Sequence, residues 1–147
     1  MDGRVSDALA AWTPTLAVFL RRCVIVGLVS IAAVALAGWA IGATTGFWQV
    51  LYVGPVLVLA YNIGFEDPAR WRVARQTRWH LRSDAVIHYG PDGEMPVPLT
   101  DIADVRPRLG WAVVLFLKDG LRVRLSYVRA PEDIAAQILA ARDRLTA

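Results

Sequence analysis

One cysteine, one lysine and two histidines are all that 147 residues hold of these three types. Each shortage removes a class of protein. The lone Cys23 cannot form an intrachain disulfide, so nothing demands an oxidising compartment. Two histidines and a cysteine fall short of the usual structural zinc sets. There is no glycine-rich phosphate loop and no G-x-S-x-G nucleophile turn. Asp92, Glu94, Asp101 and Asp104 lie close together in the chain. No nucleophile or metal-ligand set accompanies them, so turn capping, or pairing with Arg106 and Arg108, is the use expected of Asp101 and Asp104. The reading is therefore non-enzymatic, with no catalytic residue, metal or cofactor. Charge is the most telling absence. Residues 23–43, CVIVGLVSIAAVALAGWAIGA, and residues 47–65, FWQVLYVGPVLVLAYNIGF, contain no charged side chain.

What fills those stretches is apolar. Hydrophobic residues make up 56% of the chain, above the roughly 45–50% of ordinary soluble domains. A helical run over 23–43 is about 30 Å long, the thickness of a bilayer's hydrocarbon core. It is too long for the apolar region of a signal peptide. Pro55 sits mid-run in the second stretch, a position tolerated in membrane helices. Only Thr44-Thr45-Gly46 separates the two, so they read as an antiparallel transmembrane hairpin over 23–65. The alternative is a hairpin buried inside a soluble protein. Trp39, Phe47 and Trp48 cluster at one end, and Tyr61, Phe65 and Trp71 at the other, as aromatic belts do. No ionisable group lies within either span, which argues against a proton or ion path. Cys23 reads as a small apolar residue. Gly38 and Gly42 have the small-residue spacing that lets helices approach closely, either within the hairpin or against another protein. Asn62 is placed to hydrogen-bond across helices.

Arginine sets the orientation. Arg4, Arg21 and Arg22 precede the first span, and Arg70, Arg72, Arg75, Arg78 and Arg82 follow the second, while the linker has neither Lys nor Arg. By the positive-inside rule both termini are cytoplasmic, and residues 66–76 form a basic juxtamembrane linker or helix. A net charge of +3 is too modest to argue for nucleic acid. Residues 1–22 read as an N-terminal segment with a short interfacial helix over 5–20, divided by Pro14. A longer first helix starting near Thr15 is the alternative.

From residue 77 the pattern alternates, as in β-strands. Ser83-Asp84 reads as a tight hairpin that sets His80 opposite Ile87 and His88 opposite Trp79, with the two imidazoles on opposite faces. Pro91-Asp92-Gly93 is a turn, and Pro96 and Pro98 mark an edge strand. Asp119-Gly120 is the strongest hairpin signal. A two-residue loop there pairs Phe116 with Val123, putting Ala112, Val114 and Phe116 with Val123 and Leu125. Val113, Leu115 and Leu117 then share a face with Arg122 and Arg124. That face needs cover, which a closing helix with the stripe Ile134, Ile138, Ala141 and Leu145 would supply. Residues 77–147 thus read as a small cytoplasmic α+β domain of roughly six strands and one helix.

The segments LRSDAVIHYG, VPLTDIADVRPRLG and APEDIAAQIL, following two membrane helices, resemble the bacterial pleckstrin-homology-like (PH-like) domain proteins over residues 77–145. The resemblance implies a bent antiparallel sheet or half-barrel with a C-terminal helix, used for binding and scaffolding. The expected role is an inner-membrane accessory, scaffold or assembly protein. Its partners would be the lipid bilayer and an integral membrane protein complex or a second copy. Contact is expected through Gly38 and Gly42, the edge strand at 94–99, and the basic side of Arg106, Arg108, Arg122 and Arg124. The alternative is a membrane-anchored binder of anionic lipid headgroups on that basic side.

Overall fold

A computed structural model describes residues 8–146. Arg4 and the start of the N-terminal segment lie outside them. The chain forms two compact units: Leu20–Arg72 is one, and the described residues up to Phe19 together with Val73 onward are the other.

The Leu20–Arg72 unit holds most of α1 (Leu16–Thr45) and all of α2 (Val50–Tyr61). A π-helical turn over Asn62–Glu66 links α2 to the short α3 (Asp67–Ala74). Both α1 and the continuous helix Val50–Ala74 are long and apolar enough to cross a membrane. At 30 residues, α1 extends about 45 Å. It overruns the expected span of 23–43 at both ends, so Arg21 and Arg22 lie within the helix rather than before it. Thr44 and Thr45 return their hydroxyls to the carbonyls of Ala40 and Ile41 at 2.7–3.1 Å, so both polar side chains are satisfied within the helix. Gly46 then turns the chain at φ 76°, a left-handed conformation that glycine adopts without steric cost.

The other unit contains seven strands and a helix. Strands β1 (Ala10–Trp12), β2 (Arg78–Leu81), β3 (Ala85–Gly90) and β4 (Gly93–Pro98) form one antiparallel sheet in that order. Strands β5 (Ile102–Arg108), β6 (Ala112–Leu117) and β7 (Arg122–Ser126) form a second. Helix α4 (Pro131–Thr146) packs on β5, β6 and the 3-10 turn over Leu99–Asp101. Trp79, Leu81, Val86 and Val97 from the first sheet share one core with Val105, Val113, Leu115 and Leu125 from the second and Ile134 and Ile138 from α4.

Strand β1 corrects the expected interfacial helix over 5–20. Ala10 pairs with Leu81 and Trp12 with Trp79, and Trp12 packs against the core. The Thr15 N–H donates to the Tyr127 carbonyl at 2.8 Å, and Phe19 meets the Tyr127 ring edge-on at 5.0 Å. Pro14 disfavours a helix through Thr13, and β2, sixty-six residues further on, supplies the strand partner that a local reading lacks. The helix starts at Leu16, close to the Thr15 alternative. The membrane-length hairpin is therefore an insertion between two paired strands, and the sheet-forming unit includes residues ahead of it.

The Ser83-Asp84 turn has the expected register, with Trp79 opposite His88 and His80 opposite Ile87. The Asp-Gly turn does not. Leu117 N–H donates to the Leu121 carbonyl at 2.9 Å, so the loop is Lys118-Asp119-Gly120, with Gly120 at φ 89°. This is the three-residue hairpin with a left-handed third position, the next commonest after the two-residue form. Phe116 consequently faces Arg122, and Leu115 faces Val123. One residue of slip exchanges the faces of β7. Leu125 joins Val113 and Leu115 in the core, and Arg122 and Arg124 turn outward.

Candidate functional site

Two surfaces carry the residues expected to act, one in each unit. In the helical unit the glycines form the contact seam. A methyl group on Gly38 would come within 3.0 Å of Leu51 Cα and 3.1 Å of its nitrogen. On Gly42 it would lie 2.6 Å from the Trp48 ring, and on Gly54 2.8 Å from Val34 Cγ1. The geometry therefore commits Gly38 and Gly42 to contact within the hairpin rather than to an outside partner. Arg22 and Asp67 join the two helices at their open end, 3.6 Å apart and only 15% and 22% exposed. Asn62, half-buried, opens the π-helical turn. Tyr61 and Phe65 stack at 6.2 Å and stand exposed on the same stretch.

The five arginines after the second span fall in different elements of two units. Arg70 pairs with Glu66 one helical turn back. Arg72 lies on α3, Arg75 follows it, Arg78 opens β2 and Arg82 stands at the β2–β3 turn. Arg70 and Arg72 belong to one compact unit, and Arg75, Arg78 and Arg82 to the other.

The four arginines of the second sheet do converge. On β5 the even positions Asp104, Arg106 and Arg108 face outward, opposite Phe116, Val114 and Ala112 of β6. Arg122 and Arg124 of β7 complete the rows Asp104–Phe116–Arg122 and Arg106–Val114–Arg124. Neighbouring strands lie roughly 4.8 Å apart, so the four side chains leave one face about 10 Å wide. All four are exposed. Phe116 lies under two of them, with the Arg106 and Arg122 guanidiniums 5.5 and 5.3 Å from its ring centre. Asp104 accepts from Arg106 Nε at 2.6 Å and from the Val105 N–H at 2.8 Å. The Arg106 bond, then the backbone bond, holds the Asp104 carboxyl below its ordinary pKa. Among the described residues, Arg108, Arg122 and Arg124 have no ion pair. The face keeps a net excess of three positive charges.

At one end of this face the β5–β6 turn carries Leu109, 69% exposed and at φ 54°. At the other end Leu121 is 65% exposed beside Arg122. Phe116 and Leu109 were not singled out by sequence. The i, i+10 separation of Arg106 and Phe116 becomes a contact only once the β5–β6 register is known.

The edge strand offers less than expected. Leu99 N–H donates to the Asp84 carbonyl, so odd positions of β4 face β3. Pro96 and Pro98 therefore turn donor-less nitrogens to the open edge. His88 packs on Trp79 at 4.4 Å and His80 on Tyr89 at 5.0 Å, on opposite faces. Among the described residues no group of three or more His, Cys, Asp or Glu side chains is placed to hold a metal ion. In comparisons with known proteins, no protein family and no curated sequence matches this chain.

Proposed function

We propose that this protein is a non-enzymatic accessory, scaffold or assembly protein of a bacterial inner membrane, anchored by its helical hairpin. What carries the reading is the lack of cover over that hairpin. Only 6% of the apolar stretch of α1, and none of that of the second helix, is buried by protein. Leu28, Val29, Leu36, Tyr52, Val56 and Leu57 all stand exposed. Apolar surface on this scale is not left to water in a monomer, so lipid or another membrane protein covers it.

The chain order supports a hairpin topology. Because β1 and β2 pair, both ends of the inserted segment must return to the same side, which requires an even number of crossings. The arginine bias makes that side cytoplasmic. A four-stranded and a three-stranded sheet sharing a core with a C-terminal helix support the PH-like reading, and with it a binding role. Gly38 and Gly42 are occupied within the hairpin, so a membrane partner would meet the larger side chains of its outer faces.

The test is recovery of the tagged full chain from native membranes in a mild detergent. Stoichiometric co-purification inside one large membrane complex is the expected result. A chain that elutes alone, under detergents that preserve neighbouring complexes, contradicts the accessory role.

A further inference from the structure

We infer that the outer face of the β5–β6–β7 sheet is a docking surface for anionic lipid headgroups of the bilayer in which the hairpin is anchored. The inference rests on the membrane-anchored reading above and takes up the headgroup alternative, which the β5–β6–β7 register places on one sheet face. Three observations carry it.

The first is charge. Arg106, Arg108, Arg122 and Arg124 share one face, whose single acidic group, Asp104, is already paired with Arg106. A surface with this excess of one sign is complementary to phosphate, and guanidinium binds phosphate through two parallel donors.

The second is the arrangement of apolar groups. Protein interfaces bury an apolar centre inside a polar rim, arginine being the one charged residue they enrich. Here the exposed apolar side chains lie at the ends instead. The centre is arginine laid over a half-buried Phe116, and the exposed apolar groups, Leu109 and Leu121, stand at the two ends. Leu109 and Gly110 take φ 54° and 70° to close the tight β5–β6 turn, and that turn leaves the Leu109 side chain 69% exposed. Basic centre and apolar ends match a headgroup layer over acyl chains.

The third is the tether. Residues on both sides of the inserted hairpin belong to the strand-bearing unit. An anchored chain therefore tethers the strand-bearing unit at high effective concentration near headgroups, so weak individual contacts suffice.

The experiment uses the full chain with Cys23→Ala and Leu109→Cys, spin-labelled at position 109 and placed in nanodiscs. One set of discs is neutral phosphatidylcholine, and the other contains about 30% phosphatidylglycerol, enough to give an anionic surface. Accessibility of the label to a water-soluble relaxation agent is the readout. The expected result is a fall of about threefold in the anionic discs at low salt, reversed near 0.5 M salt where screening is short-ranged. Arg108→Gln with Arg124→Gln should abolish the fall while sparing the Arg106–Asp104 pair and the Phe116 contacts.

Equal accessibility in both kinds of disc overturns the inference and leaves the anchoring intact. Protection that is independent of lipid charge and salt points to a protein contact, and overturns it too. A chain that does not enter discs of either composition removes the anchored reading itself.

Discussion

Replacing Gly38 by alanine places a methyl group 3.0 Å from Leu51 Cα, 3.1 Å from Leu51 N and 3.2 Å from the Val50 carbonyl carbon. All three are backbone atoms, so no rotamer change relieves them. Carbon contacts are comfortable near 3.5–4.0 Å, and a gap of 0.5–1 Å forfeits a quarter to a half of each contact's attraction. The helices must part by about that much around the seam. Overpacking of this kind costs about 1–3 kcal/mol, and packing is the main force between helices in lipid. Gly54→Ala meets only Val34 Cγ1, at 2.8 Å, a side-chain atom that can turn aside, so its cost should stay below about 1 kcal/mol. Gly27→Ala has nothing within 4 Å. It should be neutral, or favourable by up to about 1 kcal/mol through helix propensity. The assay is SDS-driven unfolding of the full chain in mixed micelles, followed by energy transfer between dyes at positions 36 and 57 on the exposed hairpin surface. Equal midpoints for the Gly38 and Gly27 variants would refute the seam.

The β6–β7 register makes a second prediction. Leu125→Ala, at a fully buried site, should cost about 2–5 kcal/mol, while Arg124→Ala should change stability by less than about 0.5 kcal/mol. Denaturant unfolding of the full chain would reverse that order if the loop had two residues. Trp12→Ala should cost about 1–3 kcal/mol, less than for a fully buried tryptophan, and should speed proteolysis near β2; a variant as resistant as the parent argues against β1. Asp104 should titrate below the ordinary aspartate range by NMR, and Arg106→Gln should raise its midpoint. A folded pKa below the unfolded one adds stability above the unfolded pKa and loses it as pH falls through the folded value. Because this carboxyl is exposed, acid unfolding should shift little. Pro96→Thr with Pro98→Thr restores donors to the β4 edge, and should produce concentration-dependent association that the parent lacks.

Much of this architecture was legible because local chemistry decided it. Two charge-free runs joined by three residues dictate a helical hairpin. The turn residues Ser83-Asp84 and Pro91-Asp92 leave little freedom in pairing. Of the stripe Ile134, Ile138, Ala141 and Leu145, the first three are buried as their spacing required, while Leu145, in the last turn of α4, stands 46% exposed. What escaped depended on distant partners or on a single added residue. Ala10-Ala11-Trp12 carries no strand signal of its own, and becomes one only against β2. Asp119-Gly120 marks a hairpin but does not count its loop residues, and that count alone sent Arg122 and Arg124 outward. The four arginines were named together by sequence, yet the β6–β7 register then expected put Arg122 and Arg124 on the apolar face that needed cover. Gly38 and Gly42 were visible as a spacing, but their partner depended on the close approach of Leu51 and Trp48.

The most direct test of the account is sidedness. Single cysteines at Thr45, in the hairpin connection, and at Ser83, in the β2–β3 turn, would be introduced into a Cys23→Ala chain in bacterial cells. Each would be probed with a membrane-impermeant maleimide before and after the inner membrane is opened. The account predicts that position 45 reacts in intact spheroplasts, that position 83 reacts only after lysis, and that both variants stay in the membrane through alkaline carbonate. Release by carbonate, or equal reactivity of the two positions before lysis, would contradict a membrane-crossing hairpin.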